Sequence, residues 1–193
     1  MLHADGVVEP DRGLVVGAHE EADARHLAEQ QADQITQTAA PVPGAARSGI
    51  RPDLLQLHGK ETIARVRDIK AKFGLPVMKA IAVETAADLA ALPGYTSVAD
   101  RILFDARAPK DATRPGGLGA VFDWHVLENL DLELPFMVSG GLSAENVAEA
   151  VRVTRAGGVD VSSGVESSPG AKDPEMIRNF IRAARATEEL MVR

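Results

Sequence analysis

The amino-acid sequence predicts an α/β fold with a parallel β-sheet, in which five βα units follow an atypical amino-terminal segment. From residue 53 onward, short apolar runs alternate with segments whose apolar residues recur at helical spacing, which is typical of repeated βα units. The composition differs before that point, because no Phe, Lys, Tyr or Trp precedes Lys60. We therefore divide the chain into residues 1–50 and residues 51–193.

The apolar runs are the predicted strands. They cover residues 53–58, 76–81, 101–105, 135–139 and 158–162. After the first run, apolar residues recur at helical spacing from Ile63 to Phe73, and Gly74 supplies a helix stop. This stretch predicts one complete βα unit.

The later helices have recognisable starts. Thr85 and Ser143 are of the residue types that cap helix N-termini. Asp173 is another such residue, and Pro174 follows it at the first helical position, where proline is favoured. We expect a helix after each of these caps.

The amino-terminal segment does not continue the pattern. Residues 13–17 are compatible with one strand and residues 20–31 with one helix, while residues 36–49 are rich in Ala, Pro, Gly and Ser. A complete barrel of eight βα units typically takes at least about 200 residues, more than the 193 of this chain. We therefore expect an incomplete barrel-type sheet, with residues 1–50 otherwise poorly ordered.

Composition and charge limit the functional classes. With 45% hydrophobic residues, the chain is long enough for one domain. It contains neither an apolar run of about eighteen residues nor a signal-peptide pattern, so we expect a soluble cytoplasmic protein without a membrane partner. The net charge of −7 disfavours a nucleic-acid partner, whose phosphate backbone requires a basic surface.

The sequence contains no cysteine, which excludes disulfides, thiolate metal ligands and cysteine nucleophiles from these 193 residues. The five histidines show no metal-ligand spacing. No metal site is predicted.

The strongest candidate for catalysis is Asp105, which ends the third predicted strand. A carboxylate at the carboxyl end of a barrel strand lies at the face where such folds place their active sites, and it can act as a general acid or base. The simpler interpretation is a cap or turn residue. A glycine-rich stretch with Gly117 and Gly119 follows, which lets main-chain amides approach a ligand or simply allows a tight loop.

Two later strand ends carry small residues. Gly140 and Gly141 follow the fourth predicted strand, and Ser163 and Gly164 follow the fifth. The adjacent ends of the final strands are where barrel enzymes commonly hold a phosphate on main-chain N–H groups. Two such clusters in consecutive units favour a phosphate monoester ligand over glycines that only tighten turns.

His58 ends the first predicted strand, at the same edge of the sheet as Asp105. On spacing alone, a single histidine at such a position is more often a structural residue than a catalyst.

These motifs, in this order, resemble phosphoribosylanthranilate isomerase from about Pro52 to the carboxyl terminus. They are Leu55-Gln-Leu-His-Gly59, Ile102-Leu-Phe-Asp105, Gly116-Gly-Leu-Gly-Ala-Val-Phe-Asp-Trp124, Ser139-Gly-Gly-Leu142 with Asn146, and Asp160-Val-Ser-Ser-Gly-Val-Glu166. The resemblance implies a TIM (β/α)8-barrel. It also implies a cofactor-free Amadori rearrangement of N-(5-phosphoribosyl)anthranilate to 1-(2-carboxyphenylamino)-1-deoxyribulose 5-phosphate in tryptophan biosynthesis.

The resemblance also implies roles for individual residues. Asp105 matches the general acid, which protonates the ribose ring oxygen. The phosphate site is implied at Gly140, Gly141, Ser163 and Gly164, and the substrate pocket at His58, Gly117 and Gly119.

Two motifs of the family are missing from the sequence. The family's base is a cysteine in a Lys-Ile-Cys-Gly-like first strand, and an arginine in a Ser-Pro-Arg-like loop helps to hold the anthranilate; neither motif occurs here. Asp5 or Glu9 is a conceivable replacement for the base. We therefore expect that the family's amino-terminal region has been lost or replaced, for example by a reading-frame change before Ile50.

Three interpretations of function remain open at this stage. They are an isomerase of this family, a non-catalytic remnant that keeps a phosphate site, and another phosphosugar barrel such as an epimerase or an indole-glycerol-phosphate synthase. The motif at residues 116–124 favours the first over the third. An incomplete barrel also exposes an edge of the strand at residues 53–58, so self-association is expected.

Overall fold

The structure, a computed structural model, describes residues 15–18, 53–107 and 121–191. In this part of the chain, six strands form one parallel sheet and two more form a small antiparallel hairpin. The sheet strands are β1 Val15–Ala18, β2 Leu55–Leu57, β3 Val77–Val83, β4 Arg101–Ala106, β5 Phe136–Val138 and β6 Gly158–Val161, and the hairpin strands are β7 Glu166–Ser168 and β8 Ala171–Lys172.

Helices alternate with these strands. The α-helices are α1 Ile63–Phe73, α2 Leu92–Thr96, α3 Val147–Thr154 and α4 Pro174–Met191, and 3-10 helices cover Ala86–Ala91, Trp124–Leu127 and Ser163–Val165. The strand order is β1-β6-β5-β4-β3-β2, so each strand from β3 to β6 lies beside the one before it, as repeated βα units require. None of the described helices is both long enough and apolar enough to cross a membrane.

The five predicted strands are confirmed, with ends that shift by one or two residues, which is the usual uncertainty of strand boundaries. A strand also occupies Val15–Ala18, overlapping residues 13–17, and it pairs in parallel with β6 through Val16 and Val159. This pairing joins the amino-terminal segment to the last strand of the sheet. The helix predicted at residues 20–31 lies outside the described residues.

The two faces of the sheet bury different clusters, because side chains alternate along each strand. On the face covered by helices, Ile102 and Phe104 of β4 and Phe180 of α4 are fully buried in one large cluster. The other face carries a smaller buried cluster of Met78, Ala80, Leu103 and Met137. Since buried apolar area contributes about 25 cal/mol per Å², the helix-covered cluster is the main core.

Two helix ends agree with the sequence signals. Gly74 ends α1 with a φ of 63°, a left-handed conformation that glycine adopts without steric cost, and its N–H donates to the Lys70 carbonyl at 2.9 Å. Asp173 begins α4, where its Oδ1 accepts from the N–H groups of Glu175 and Met176 at 2.7 and 3.0 Å. These caps satisfy main-chain groups that a helix cannot pair internally.

Thr85 is a helix cap as predicted, but the helix type differs, and the helix predicted after Ser143 begins later. The segment after Thr85 is a 3-10 helix that continues as the short α2, and Pro93 near the start of α2 explains the break because it has no N–H to donate. The helix after Ser143 begins only at Val147. The Ser143 N–H donates to Oδ1 of Asn146 at 2.8 Å, so a turn closed by Asn146 precedes the helix.

The Asp173 cap makes a testable contribution to stability. We expect Asp173→Ala to lower the free energy of unfolding by about 1 kcal/mol, because two N–H groups of α4 lose their acceptor. Urea unfolding measures this change. The control is Asp68→Ala at an exposed position within α1, where alanine has the higher helix propensity and no loss is expected. Equal losses in the two variants would contradict the capping role.

Candidate active site

The carboxyl ends of the sheet strands lie along one edge, because all six strands run in parallel. At this edge His58 follows β2, Asp105 lies one residue before the end of β4, and Ser139 follows β5. Ser163 and Gly164 lie just beyond β6. The strand ends that carry the predicted site residues therefore share one edge of the sheet.

Asp105 is held by two hydrogen bonds. Its Oδ2 lies 3.0 Å from Nε2 of His58, and its Oδ1 accepts from the Ser139 hydroxyl at 2.7 Å. The Asp105 side chain is 18% exposed and the imidazole 38%, whereas Ser139 is buried. The bond to Ser139 therefore lies on the protein side of the carboxyl group, and the imidazole lies on the solvent side.

His58 and Asp105 meet across β3, which separates their strands. Two strand spacings amount to about 10 Å, a distance that the two side chains must bridge. Ala82 of β3 is the register partner of Asp105 and has no side-chain atom beyond Cβ. The small residue at this position leaves room for the imidazole to reach the carboxyl group.

This arrangement supplies a carboxyl group of defined orientation beside an imidazole. With Asp105 ionised, Nε2 of His58 carries a proton and donates to one oxygen, while Ser139 donates to the other. Both side chains remain partly exposed at the edge. The pair can therefore exchange a proton with a ligand that enters there.

Gly140 and Gly141 follow β5 in left-handed conformations, with φ of 89° and 62°. A Cβ on Gly140 would lie 2.4 Å from Cβ of Ala106, so this loop packs directly against the end of β4. The side-chain amide of Asn146 donates from Nδ2 to the Gly141 carbonyl at 2.9 Å and holds the second glycine of the loop. The loop beside Asp105 is therefore rigidly supported on both sides.

Gly164 brings the next strand end against this loop. A Cβ on Gly164 would lie 1.8 Å from the Leu142 carbonyl oxygen, so only glycine permits the contact. Nζ of Lys172 donates to the carbonyl of Ser162 at 3.0 Å and to Glu166 at 2.8 Å, which ties the hairpin to the same turn. The loops after β5 and β6 thus pack against each other.

A cation lies at the same edge, two residues after Asp105. Arg107 forms ion pairs with Asp88 and, at 3.6 Å, with Glu84. The N–H groups of Thr85 and Glu84 donate to the Asp88 carboxylate, and these bonds together with Arg107 hold the pKa of Asp88 below its ordinary value. Arg107 is therefore already paired with two carboxylates of the segment that follows β3.

The structure does not place every predicted site residue. Gly117 and Gly119 lie outside the described residues. Sequence reasoning missed the contacts of Ser139 with Asp105 and of Arg107 with Asp88. Ser139 stands within a motif singled out from the sequence, but only the pairing of β4 with β5 shows which side chain it meets.

Other polar clusters lie away from this edge. An open groove of about 620 Å³ is lined by residues that include His125, Glu128, Arg152 and Arg155, near the carboxyl end of α3. Asp123 bonds to His125 at 2.8 Å and raises the pKa of that imidazole. Within the described ranges, no group of three or more His, Cys, Asp and Glu side chains is placed to hold a metal ion.

Comparison with protein families shows one match over most of the chain. The model of the family described as N-(5'phosphoribosyl)anthranilate (PRA) isomerase matches residues 18–183. The match begins well before residue 52, where the readable motifs begin.

Curated relatives share high identity with this chain. The N-(5'-phosphoribosyl)anthranilate isomerase of Bradyrhizobium sp. (strain ORS 278) is 80% identical over 143 residues, which are 74% of this chain and 65% of the relative. That of Bradyrhizobium diazoefficiens is 79% identical over 140 residues, which are 72% of this chain and 63% of the relative. The chain thus spans slightly less than two thirds of the length of these relatives.

Solved structures share the fold. Phosphoribosyl anthranilate isomerase from Thermotoga maritima superposes with a TM-score of 0.60 and 30% identity, over 89% of this chain and 72% of that one. N-(5'-phosphoribosyl)anthranilate isomerase from Pyrococcus furiosus gives a TM-score of 0.59 and 28% identity, over 89% of this chain and 88% of that one.

The contact between Gly140 and β4 predicts a difference between two glycine substitutions. Gly74 also has a left-handed φ, but a Cβ there would meet no atom within 4 Å. We expect Gly74→Ala to lower the free energy of unfolding by about 1 kcal/mol through backbone strain alone. Gly140→Ala adds a clash with Ala106 and should cost clearly more. Urea unfolding of both variants measures the difference, and equal costs would contradict the tight packing of the loop.

Proposed function

Because this chain belongs to the phosphoribosylanthranilate isomerase family, we propose that it catalyses the Amadori rearrangement of N-(5-phosphoribosyl)anthranilate to 1-(2-carboxyphenylamino)-1-deoxyribulose 5-phosphate in tryptophan biosynthesis. Its fold is of the TIM-barrel type, and the described strands form part of such a barrel. The observation that carries the proposal is the Asp105 carboxyl group, held between His58 and Ser139 beside two glycine loops.

Asp105 is the proposed general acid. In its protonated state it passes a proton to the ribose ring oxygen, the bond between that oxygen and C1 breaks, and the anthranilate nitrogen forms a Schiff base with C1. The carboxylate that remains accepts from His58 and Ser139. Loss of the C2 proton to a base then gives an enolamine, which rearranges to the ketose. Ser139 supports this role by orienting the carboxyl group, and His58 lines the pocket on its solvent side.

The loops after β5 and β6 are the proposed phosphate site. Gly140 and Gly141 in one loop and Ser163 and Gly164 in the other lack bulky side chains, so a phosphate oxygen can approach the main-chain N–H groups closely. The direct packing of Gly164 on Leu142 supports the proposal, because it brings both loops to one place. A phosphate held there lies at the edge that carries Asp105.

A second candidate function is a non-catalytic protein that retains only the phosphate site. The observation that favours it is the lack of any cysteine in the sequence, since the resemblance assigns the base to a cysteine. Removing one catalytic group typically lowers the rate by a factor of about 10² to 10⁴. Both candidate functions therefore predict that the chain binds the ligand, but only the first predicts turnover.

An activity assay with a binding control separates the two candidates. We expect the purified chain to consume N-(5-phosphoribosyl)anthranilate and Asp105→Asn to lower kcat by a factor of about 10² to 10⁴. Asp68→Asn, an exposed substitution on α1, should leave kcat unchanged. Calorimetry with reduced 1-(o-carboxyphenylamino)-1-deoxyribulose 5-phosphate, the ligand in a solved complex of the family, should show binding to all three proteins.

The outcomes assign the function. Binding of that ligand without turnover by the unmodified chain would support the non-catalytic candidate. Turnover that survives Asp105→Asn would remove Asp105 from the role of general acid. If the unmodified chain shows neither ligand binding nor turnover, both candidates are excluded.

The proposal extends to assembly and location. Within the described sheet, β2 pairs with β3 and forms one edge, and a free strand edge is a site for pairing with another chain. We expect sedimentation velocity to show a dimer or larger species whose share rises with protein concentration. A monomer at all concentrations would contradict this.

The proposed location is the cytoplasm, because the proposed substrate is a phosphosugar of amino-acid biosynthesis.

A further inference from the structure

A lysine lies buried in the middle of the apolar strand β3. Lys79 is 3% exposed, and its register partners are Leu57 of β2 and Ile102 of β4. Ile102 belongs to the helix-covered core, and Asp105 lies three positions further along β4, on the opposite face. Lys79 therefore does not contact the candidate site directly.

The ammonium group of Lys79 is bonded to the turn that follows β2. Nζ lies 3.2 Å from the Leu57 carbonyl, 2.8 Å from the Gly59 carbonyl and 3.0 Å from Oε2 of Glu61. It also lies 2.8 Å from the carbonyl of Ala80. A buried ammonium group needs such acceptors, since an unpaired charge in the interior is very costly.

Glu61 closes the same turn from the other side. Its Oε1 accepts from the Gly59 N–H at 3.0 Å, and its carbonyl accepts from the Tyr95 hydroxyl at 2.9 Å. Burial raises the pKa of Glu61, but the hydrogen bond from Lys79 and the further bonds outweigh it, so the pKa lies below its ordinary value. Glu61 is therefore ionised at neutral pH and accepts from Nζ of Lys79 as a carboxylate.

His58 stands between the two residues whose carbonyls Lys79 holds, Leu57 and Gly59. The imidazole is 38% exposed, and its bond to Asp105 is open to solvent. An exposed hydrogen bond contributes little net free energy by itself. The main chain on either side of His58 must therefore supply most of the orientation of the imidazole. The turn that supplies it is closed by Lys79 and Glu61.

We propose that Lys79 and Glu61 are positioning residues that hold His58 against Asp105 from the opposite face of the sheet. The inference rests on the proposed function for the role of His58, although the contact that it concerns does not require turnover. If the pair served only to fill the core, its loss would lower stability and leave the imidazole in place.

The experiment is NMR of the His58 imidazole in isotopically labelled full-length protein. In the unmodified chain the nitrogen chemical shifts of the neutral ring should show one tautomer with its proton on Nε2, and Asp105→Ala defines the signal without this bond. Lys79→Met and Glu61→Gln should both show mixed tautomers. Glu61→Gln is the milder change, because its single amide oxygen can accept from Lys79 or from Gly59 but no longer from both through separate oxygens.

The control is Lys70→Met. Lys70 forms an ion pair with Asp100 at 2.7 Å that is more exposed than the Lys79–Glu61 pair. The other oxygen of Asp100 accepts from the Val77 N–H at the amino end of β3, and Lys70 lies in the last turn of α1, at the other end of that helix from Gly59. This variant should keep the His58 signal of the unmodified chain. Folded Lys79→Met or Glu61→Gln protein with an unchanged His58 signal would overturn the proposal. A chain without isomerase activity but with the expected NMR pattern would overturn the proposed function and leave the positioning role standing.

Discussion

The parallel register of β4 between β3 and β5 is the constraint on which the site depends. Phe104 pairs with Val138, so Asp105 and Ser139 are each the next residue and their side chains meet at 2.7 Å. On the other side Ala82 is the partner of Asp105 and leaves space for His58. A shift of the register by one residue would turn Asp105 toward the helix-covered core and separate it from His58 and Ser139.

Close main-chain packing forms the other half of the site. Gly140 touches β4 and Gly164 touches the Leu142 carbonyl, at distances that exclude any side chain. Around Lys79, in contrast, hydrogen bonds and an ion pair with Glu61 hold the turn that follows β2. A buried ion pair is weak evidence for stability, but removing one partner leaves the other charge buried without its partner, so both residues must stay in place. The site thus combines rigid backbone contacts with a paired charge behind the sheet.

Much of this could be predicted from the sequence, because the signals are local. Gly74 and Asp173 end and begin helices through contacts with residues two to four positions away. The helices that differ from the prediction do so through local features: Oδ1 of Asn146 accepts from the Ser143 N–H in a turn that precedes α3, and Pro93, which has no N–H, lies where the segment after Thr85 changes from a 3-10 helix to α2. The sequence shows Lys79 as a cation within an apolar predicted strand. Its hydrogen-bond partners at Gly59 and Glu61 depend on the pairing of β2 with β3, which the sequence does not show.

The sequence by itself determined the βα repetition, the edge of the sheet at which polar and glycine residues gather, and the absence of a cysteine. Periodicity and residue type carry this information, since they act within a few residues along the chain. Only the tertiary structure decided that His58 contacts Asp105 across β3, that Ser139 holds the other carboxyl oxygen, and that β1 pairs with β6. These contacts join residues far apart in sequence, and strand register and packing, which no local pattern encodes, bring them together.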